Sequence, residues 1–394
     1  MLDSIYIGLT GLLGYSRGLK VISNNVANLN TPGFKSSQLQ FANLFYANGD
    51  SKDTFSKGSI GLGLNTLSTS LNFRQGEFKQ TGGSLDLAID GEGMFVVRDD
   101  AGVLRYTRAG QFEFNSDGIL VNRSDGSHVM AMDSTGQLTE IRLDGLRNNA
   151  AKATSNVTFR GNLSNDGTTH VLGSVQVIDA LGGQHNLSVT FTNGSPANPG
   201  QWAVKVADGT TTVATGNINF VNGLPDPATS TLSFTYSPAG VAAVPLNFDF
   251  STDVTSFAAG TTSTLALNKQ DGFTSGALTS AGFDAQGRLK LEYANGQSTT
   301  GMQLAIARVD NLDALEPLGG NLFGSRNKSA TRMGFAGADS FGKVSSGIVE
   351  LSNVDLSQEF SDLIITQRGY QAASQIVSTA NEMIQVVFDM KARR

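Results

Sequence analysis

Leu356, Leu363, Tyr370, Val377 and Ile384 recur at every seventh position toward the C-terminal end of the chain, and Phe360, Gln367, Ser374, Asn381 and Phe388 repeat beside them at the same interval. A seven-residue repeat keeps one stripe of a helix turned toward one neighbour, so the spacing predicts an α-helix over 355–394 with a coiled-coil seam through Leu356, Phe360, Leu363, Tyr370, Val377 and Ile384. Asp355 with Gln358 three residues on has the form of a capping box. Lys391, Arg393 and Arg394 put positive charge at the end that the helix dipole favours.

The other end answers it. Leu2, Ile5, Leu9, Leu12, Leu19 and Val26 follow spacings of three, four and seven, with Ser16 and Ser23 in the remaining seam positions, which predicts a second amphipathic helix over 1–30. That helix carries Gly8, Gly11, Gly14 and Gly18. Each glycine costs about 0.8–1 kcal/mol against alanine, roughly 3–4 kcal/mol together. Alone the helix should fray, so the expectation is that both ends order on polymerisation, where glycines let backbones approach closely. An antiparallel helix pair within one chain is the alternative. The apolar segment from Ile5 to Val21 follows Asp3 rather than a basic start and precedes no small-residue cleavage site, so it reads as retained.

Between the two helices the pattern changes to short alternating runs broken by turn dipeptides such as Asp117-Gly118, Asp125-Gly126, Asn193-Gly194 and Asn222-Gly223. Leu187, Val189 and Phe191, then Trp202, Val204 and Val206, then Leu232, Phe234 and Tyr236, then Leu246, Phe248 and Phe250 each place apolar side chains on one face of a strand. With 46 glycines and 16% charged residues, the expected class is α+β and mainly β. Residues 151–285 are richer in Thr, Ser, Asn and Gly than their flanks and read as an outer antiparallel β-barrel or sandwich inserted into a β-rich middle domain of 73–150 and 286–345. Residues 31–72, with Thr31-Pro32-Gly33 and the glycine run Gly58 to Gly63, read as an extended connector.

Chemistry is sparse. The nearest nucleotide motif, Gly337 to Lys343, is followed by Val344 instead of the hydroxyl that magnesium needs and by no helix start, so it reads as a surface loop. His128, His170 and His185 stand apart, no Gly-x-Ser-x-Gly elbow occurs, and the aspartates beside glycines lack alternating oxygen ligands; no catalytic residue, cofactor or metal site is expected. There is no cysteine, hence no disulfide and no thiolate metal site. A net charge of −6 argues against nucleic acid as a partner. No apolar run approaches the length of about eighteen residues that would span a bilayer, so no membrane insertion is expected.

The segment Ser23-Asn24-Asn25-Val26-Ala27-Asn28-Leu29-Asn30-Thr31-Pro32-Gly33-Phe34-Lys35 resembles the N-terminal signature of the axial proteins of the bacterial flagellum, the rod, hook and hook-associated family. Gln75-Gly76, Leu85 to Gly91, Tyr106 to Phe112, Glu350 to Ser357 and Gln367 to Ala372 are similar to further shared segments, so the resemblance frames nearly the whole chain; the last turn, Val386 to Arg394, is less typical. On that resemblance the motif residues are Asn24, Asn25, Ala27, Asn28, Thr31 and Gly33. It implies a non-enzymatic subunit that polymerises with itself into a tube, its paired terminal helices innermost and the inserted domain outermost. Because the family's rod proteins lack a large insertion, residues 151–285 point to the hook, a curved flexible joint passing torque from rod to filament; a distal rod subunit is the alternative. The implied partners are the rod, the hook-associated junction proteins, the hook cap and the flagellar type III export apparatus. The implied location is the hook–basal body, outside the cell after export.

Overall fold

The computed structural model describes residues 2–44, 46–48, 59–61, 63–326, 331–338 and 340–392. The expectations for Gly58, Leu62, Asp339, Arg393 and Arg394 lie outside the described residues. The chain is mainly β with two helices, α1 (Leu2–Ala27) and α2 (Leu356–Ala392), and divides into two compact units.

The first unit comprises Met1–Leu143, Ala281–Leu291 and Thr299–Arg394. Helix α2 opens on Asp355, whose Oδ1 accepts the backbone N–H groups of Ser357 at 2.9 Å and Gln358 at 3.3 Å. Only half of the expected capping box forms, because the Gln358 side chain turns forward to Asp362 instead of back to the cap. Helix α1 lies against α2 along its glycines. A Cβ added at Gly8 would stand 2.7 Å from Val377 Cγ2, at Gly11 3.3 Å from Ala373 Cβ and at Gly18 3.2 Å from Thr366 Cγ2. The helix therefore accepts a propensity cost for a closeness that alanine would not permit.

Residues that follow α1 form an antiparallel ribbon of Ser37–Asn43 with Leu64–Leu71, with a bulge between Leu39 and Phe41. Leu64 and Phe41 from this ribbon cover Gly14 of α1. The rest of the unit is antiparallel sheet in which Met94–Arg98 pairs with Leu104–Thr107, His128–Met132 and the long strand Ser298–Val309. Alternation puts Met94, Val96, Tyr106, Met130, Ala305 and Ala307 into one core together with Phe323. The loop at Gly337 is a turn closed by Gly337 N–H to Gly342 O at 2.9 Å, and Lys343–Ser346 that follows is a strand.

The second unit comprises Asp144–Ser280 and Glu292–Ser298. It holds a four-stranded sheet, in the order Thr231–Tyr236, Val244–Thr255, Asn156–Asn162, Ala266–Gln270, and a five-stranded meander from Thr169 to Pro225. Both contribute to one core with Trp202, Phe159, Phe191, Phe248 and Phe250 fully buried, and the Trp202 indole N–H finds Ser256 Oγ at 3.2 Å. All-antiparallel pairing was the expectation for this region; instead Asn156–Asn162 runs parallel to Val244–Thr255. Parallel neighbours need a long crossover, and the whole five-stranded meander lies between these two strands in sequence.

In the four-stranded sheet, the start of Asn156–Asn162 is tied to the end of its neighbour Ala266–Gln270 by Asp271. Its carboxylate accepts Ser155 N–H at 2.8 Å, Ser155 Oγ–H at 2.6 Å and Asn156 N–H at 2.9 Å, and meets Lys152 Nζ at 3.2 Å. Burial alone would raise this carboxyl, but the hydrogen bonds from Asn156, Ser155 and Lys152 outweigh it and hold it well below the usual carboxylate range. Because the folded-state value is depressed, the contribution is complete above the ordinary carboxylate range, near pH 4, and is lost as pH falls through that range toward the folded value. Asp271→Ala should destabilise the unit by about 2 kcal/mol at neutral pH. Urea titrations should find the variant's deficit shrinking as pH is lowered below about 4.

Candidate assembly site

Within one chain the expected seam residues are not the most deeply buried between the helices, although Val377 meets Gly8. On α1 the buried residues are Gly8, Gly11, Gly14, Gly18, Ile22 and Asn25, whereas Ile5, Leu12, Leu19 and Val26 are half-buried and Leu9 is 48% exposed; the Leu2 side chain lies outside the described residues. On α2 the buried line is Glu359, Ala373 and Ala380, with Thr366 half-buried in the same seven-residue series. Leu363, Val377 and Ile384 flank it half-buried, while Leu356, Phe360 and Tyr370 are exposed, Phe360 by 51%. The heptad is present, but its closest line consists of small residues that meet glycines. Ranking positions by hydrophobic size overlooks such a line; the signal was glycine at intervals of three and four on one helix with Thr, Ala and Ala seven apart on the other.

The large side chains are left outward. Tyr6, Leu9 and Leu13 of α1 and Phe360, Ile364, Ile365, Val386, Val387 and Met390 of α2 are exposed, and Phe388 is 65% exposed. Exposed apolar residues spread round most of the α2 circumference, a distribution that belongs to a helix with neighbours on several sides.

The segment after α1 is fixed by polar contacts. Asn25, almost fully buried, donates from Nδ2 to Ser37 O and to Glu359 Oε1, both at 2.8 Å, and its Oδ1 accepts Ser37 N–H at 3.0 Å. Burial pushes the Glu359 carboxyl up, and the Asn25 hydrogen bond partly counters this. Asn28 donates to Asn24 O at 2.9 Å and accepts Thr31 Oγ1–H at 3.1 Å, which closes the turn beyond α1. Asn24 and Ala27 are exposed. Gly33 at φ 72° then brings its N–H to Glu350 O at 2.8 Å.

Glu350 is the centre of this arrangement. Oε1 accepts Lys35 Nζ at 2.5 Å and Gly76 N–H at 2.9 Å, and Oε2 accepts Arg108 Nη1 at 3.1 Å. The Lys35 and Glu350 side chains expose no surface. Lys35 also donates to Arg74 O at 2.9 Å, and Arg108 to Ile89 O at 3.0 Å and Gly91 O at 2.6 Å. Burial lowers both Lys35 and Arg108, and Glu350 opposes the shift in each. Next to it Asn353 accepts Ser36 N–H at 2.8 Å and donates to Asn72 O at 2.6 Å and Arg74 O at 2.9 Å. Sequence reasoning singled out Asn25 and Gly33 but not Lys35, Arg108, Glu350 or Asn353 as members of one network. Their only sequence signal was a charge set inside apolar runs, as in Ile348-Val349-Glu350-Leu351. Among the described residues no cluster of His, Asp or Glu is arranged to hold a metal ion.

Three family models match: Flagella basal body rod protein over 5–35, Flagellar hook protein FlgE/F/G D1 domain over 88–168, and Flagellar basal body rod FlgEFG protein C-terminal over 345–390. The similar curated proteins agree with them over nearly the full chain. Flagellar hook protein FlgE of Treponema pallidum is 28% identical, over 99% of this chain and all of its own length. The chain is thus similar over nearly its full length to flagellar hook proteins. Flagellar hook protein FlgE of Salmonella typhimurium is 28% identical and that of Escherichia coli 29% identical, each over 97% of this chain and 98% of its own. A crystal structure of Helicobacter pylori flagellar hook protein FlgE2 aligns with a TM-score of 0.47 at 13% identity, over 68% of this chain and 98% of that one, a likeness too distant to bear on the arrangement of the units. Lys35, Arg108 and Glu350 fall one in each of the three matched segments.

Proposed function

We infer that the chain is a structural subunit of the bacterial flagellar hook and acts by polymerising with itself, not by catalysis. The observation that carries this reading is the pair of terminal helices, packed on each other through small residues while their large apolar side chains face outward. In a helical array each exposed face meets a neighbouring copy, so α1 and α2 form a coiled-coil inner wall in which Leu9, Leu356, Phe360 and Tyr370 lie between copies and Leu12, Leu19, Leu363, Val377 and Ile384 lie at the border of the pair. The second unit is read as a sandwich on its two sheets and single core. A curved tube of this kind serves as a joint that passes torque from rod to filament. The rod, the hook-associated junction proteins, the hook cap and the flagellar export apparatus are the partners that this role requires. A distal rod subunit is not favoured, because the full-length relatives are hook proteins.

Phe360→Asp tests the reading. The side chain is already half in solvent, so the folded monomer should melt within about 0.5 kcal/mol of the wild type. In a polymer the same carboxylate would be buried without a partner at a cost of several kcal/mol per subunit. Wild-type chain should sediment as tubes visible by negative stain and the variant should stay in the supernatant; normal tubes from the variant would remove the helix faces from the assembly.

A further inference from the structure

We propose that the first unit carries a head-to-tail contact with a second copy of this chain, in which the hairpin tip Asp100–Val103 of one copy enters a cleft at Arg74 of the next. The proposal rests on the polymer reading above and specifies one of its contacts.

The cleft is about 320 Å3 and is floored by Phe73, Met94 and Val309, with Leu312 at its rim 43% exposed. Its charges are matched within the chain, with one exception. Arg308 pairs with Glu92 at 2.9 Å, Arg108 with Glu350 at 3.1 Å and Asp310 with Arg332 at 3.0 Å. The Arg74 guanidinium has no hydrogen-bond or ion-pair partner among the described residues, although the backbone of Arg74 is tied to Lys35 and Asn353. The site thus offers a free, forked donor on a fixed backbone over an apolar floor, which suits a carboxylate carried beside an apolar side chain.

The tip has that chemistry. Asp100 is exposed and has no partner among the described residues, and Val103 is 41% exposed. The tip is held in shape by Asp99, which accepts Val103 N–H at 2.8 Å and Arg105 Nε–H at 3.1 Å. Cleft and tip stand at opposite ends of one strand: Gly93 and Met94 line the cleft, and Met94–Arg98 runs from there to Asp99, about 16 Å at the usual rise per residue. A displacement along that strand therefore brings the tip of one copy to the cleft of another. Because the two patches differ, the contact is heterologous, and its repetition extends a filament instead of closing a dimer.

The sequence contains no cysteine, so paired cysteines report this contact without background. Full-length chain carrying Arg74→Cys and Asp100→Cys together, assembled and oxidised, should give a ladder of dimers, trimers and longer species on a non-reducing gel. Mixed single variants should stop at dimers and either single variant alone should give none. Where the cysteines themselves suppress assembly, charge reversal decides: Arg74→Glu should raise the lowest concentration that assembles by about tenfold, and Arg74→Glu with Asp100→Arg should bring it back to within about twofold of wild type. Sedimenting tubes with no cross-links, or a reversed pair that recovers nothing, overturn this contact and leave the polymer reading intact. Failure of the wild-type chain to sediment removes the polymer reading and this contact with it.

Discussion

Glu350→Ala should cost about 3–5 kcal/mol of folding stability, because it leaves the Lys35 ammonium and the Arg108 guanidinium buried without their shared counter-charge. Neither cation has an easy exit: Lys35 is fully enclosed, and Arg108 is fixed by two carbonyls besides the carboxylate. Shortening the side chain also strips the acceptor from Gly76 N–H. The loss should be read by urea denaturation of the full chain, with the change concentrated in the transition that reports the first unit. Replacing the whole set, Lys35→Met with Arg108→Leu and Glu350→Leu, should return most of the stability, since a buried ion cluster is worth little over apolar residues of similar size once no charge is stranded. A loss under about 1 kcal/mol for the single change would mean that the cations are solvated in some other way.

Gly33→Val should be comparably damaging, at about 3–5 kcal/mol, for a different reason. The backbone sits at φ 72°, a conformation that costs a branched side chain about 1–3 kcal/mol. The added Cβ would also stand 2.5 Å from Ala109 N and 2.7 Å from Arg108 C, which are backbone atoms that cannot rotate away. Relief requires the segment to shift, and a shift breaks Gly33 N–H to Glu350 O. Combining Gly33→Val with Glu350→Ala should therefore cost less than the sum of the two single changes, since both release the same piece of chain; strict additivity would show that the two contacts act independently.

The terminal helices, the turn-dense β middle and the cores built from Leu187, Trp202 and Phe248 were legible because each rests on a local period that the fold respects. The parallel pairing of Asn156–Asn162 with Val244–Thr255 was not, since neighbours some ninety positions apart in sequence leave no local mark. The helix contact was legible as a seven-residue repeat, but its lining within one chain was not. The repeat drew attention to large residues such as Leu9 and Phe360 for assembly, whereas closeness between backbones sets Gly8 and Gly11 against Ala373 inside the pair. The motif around Asn25 and Gly33 could be picked out by resemblance, but its physical task emerged only with Glu350 and Glu359, more than three hundred residues away.

A seven-residue repeat is ambiguous on its own terms. With Thr366, Ala373 and Ala380 seven apart on α2, sliding it by one heptad would exchange small residues for small residues along that line. The bonds from Asn25 to Glu359 and from Lys35 to Glu350 have no counterpart seven residues away, where the sequence offers Thr366 and Ser357. They act as the index mark on a vernier scale: where a repeat could match at more than one setting, they select one.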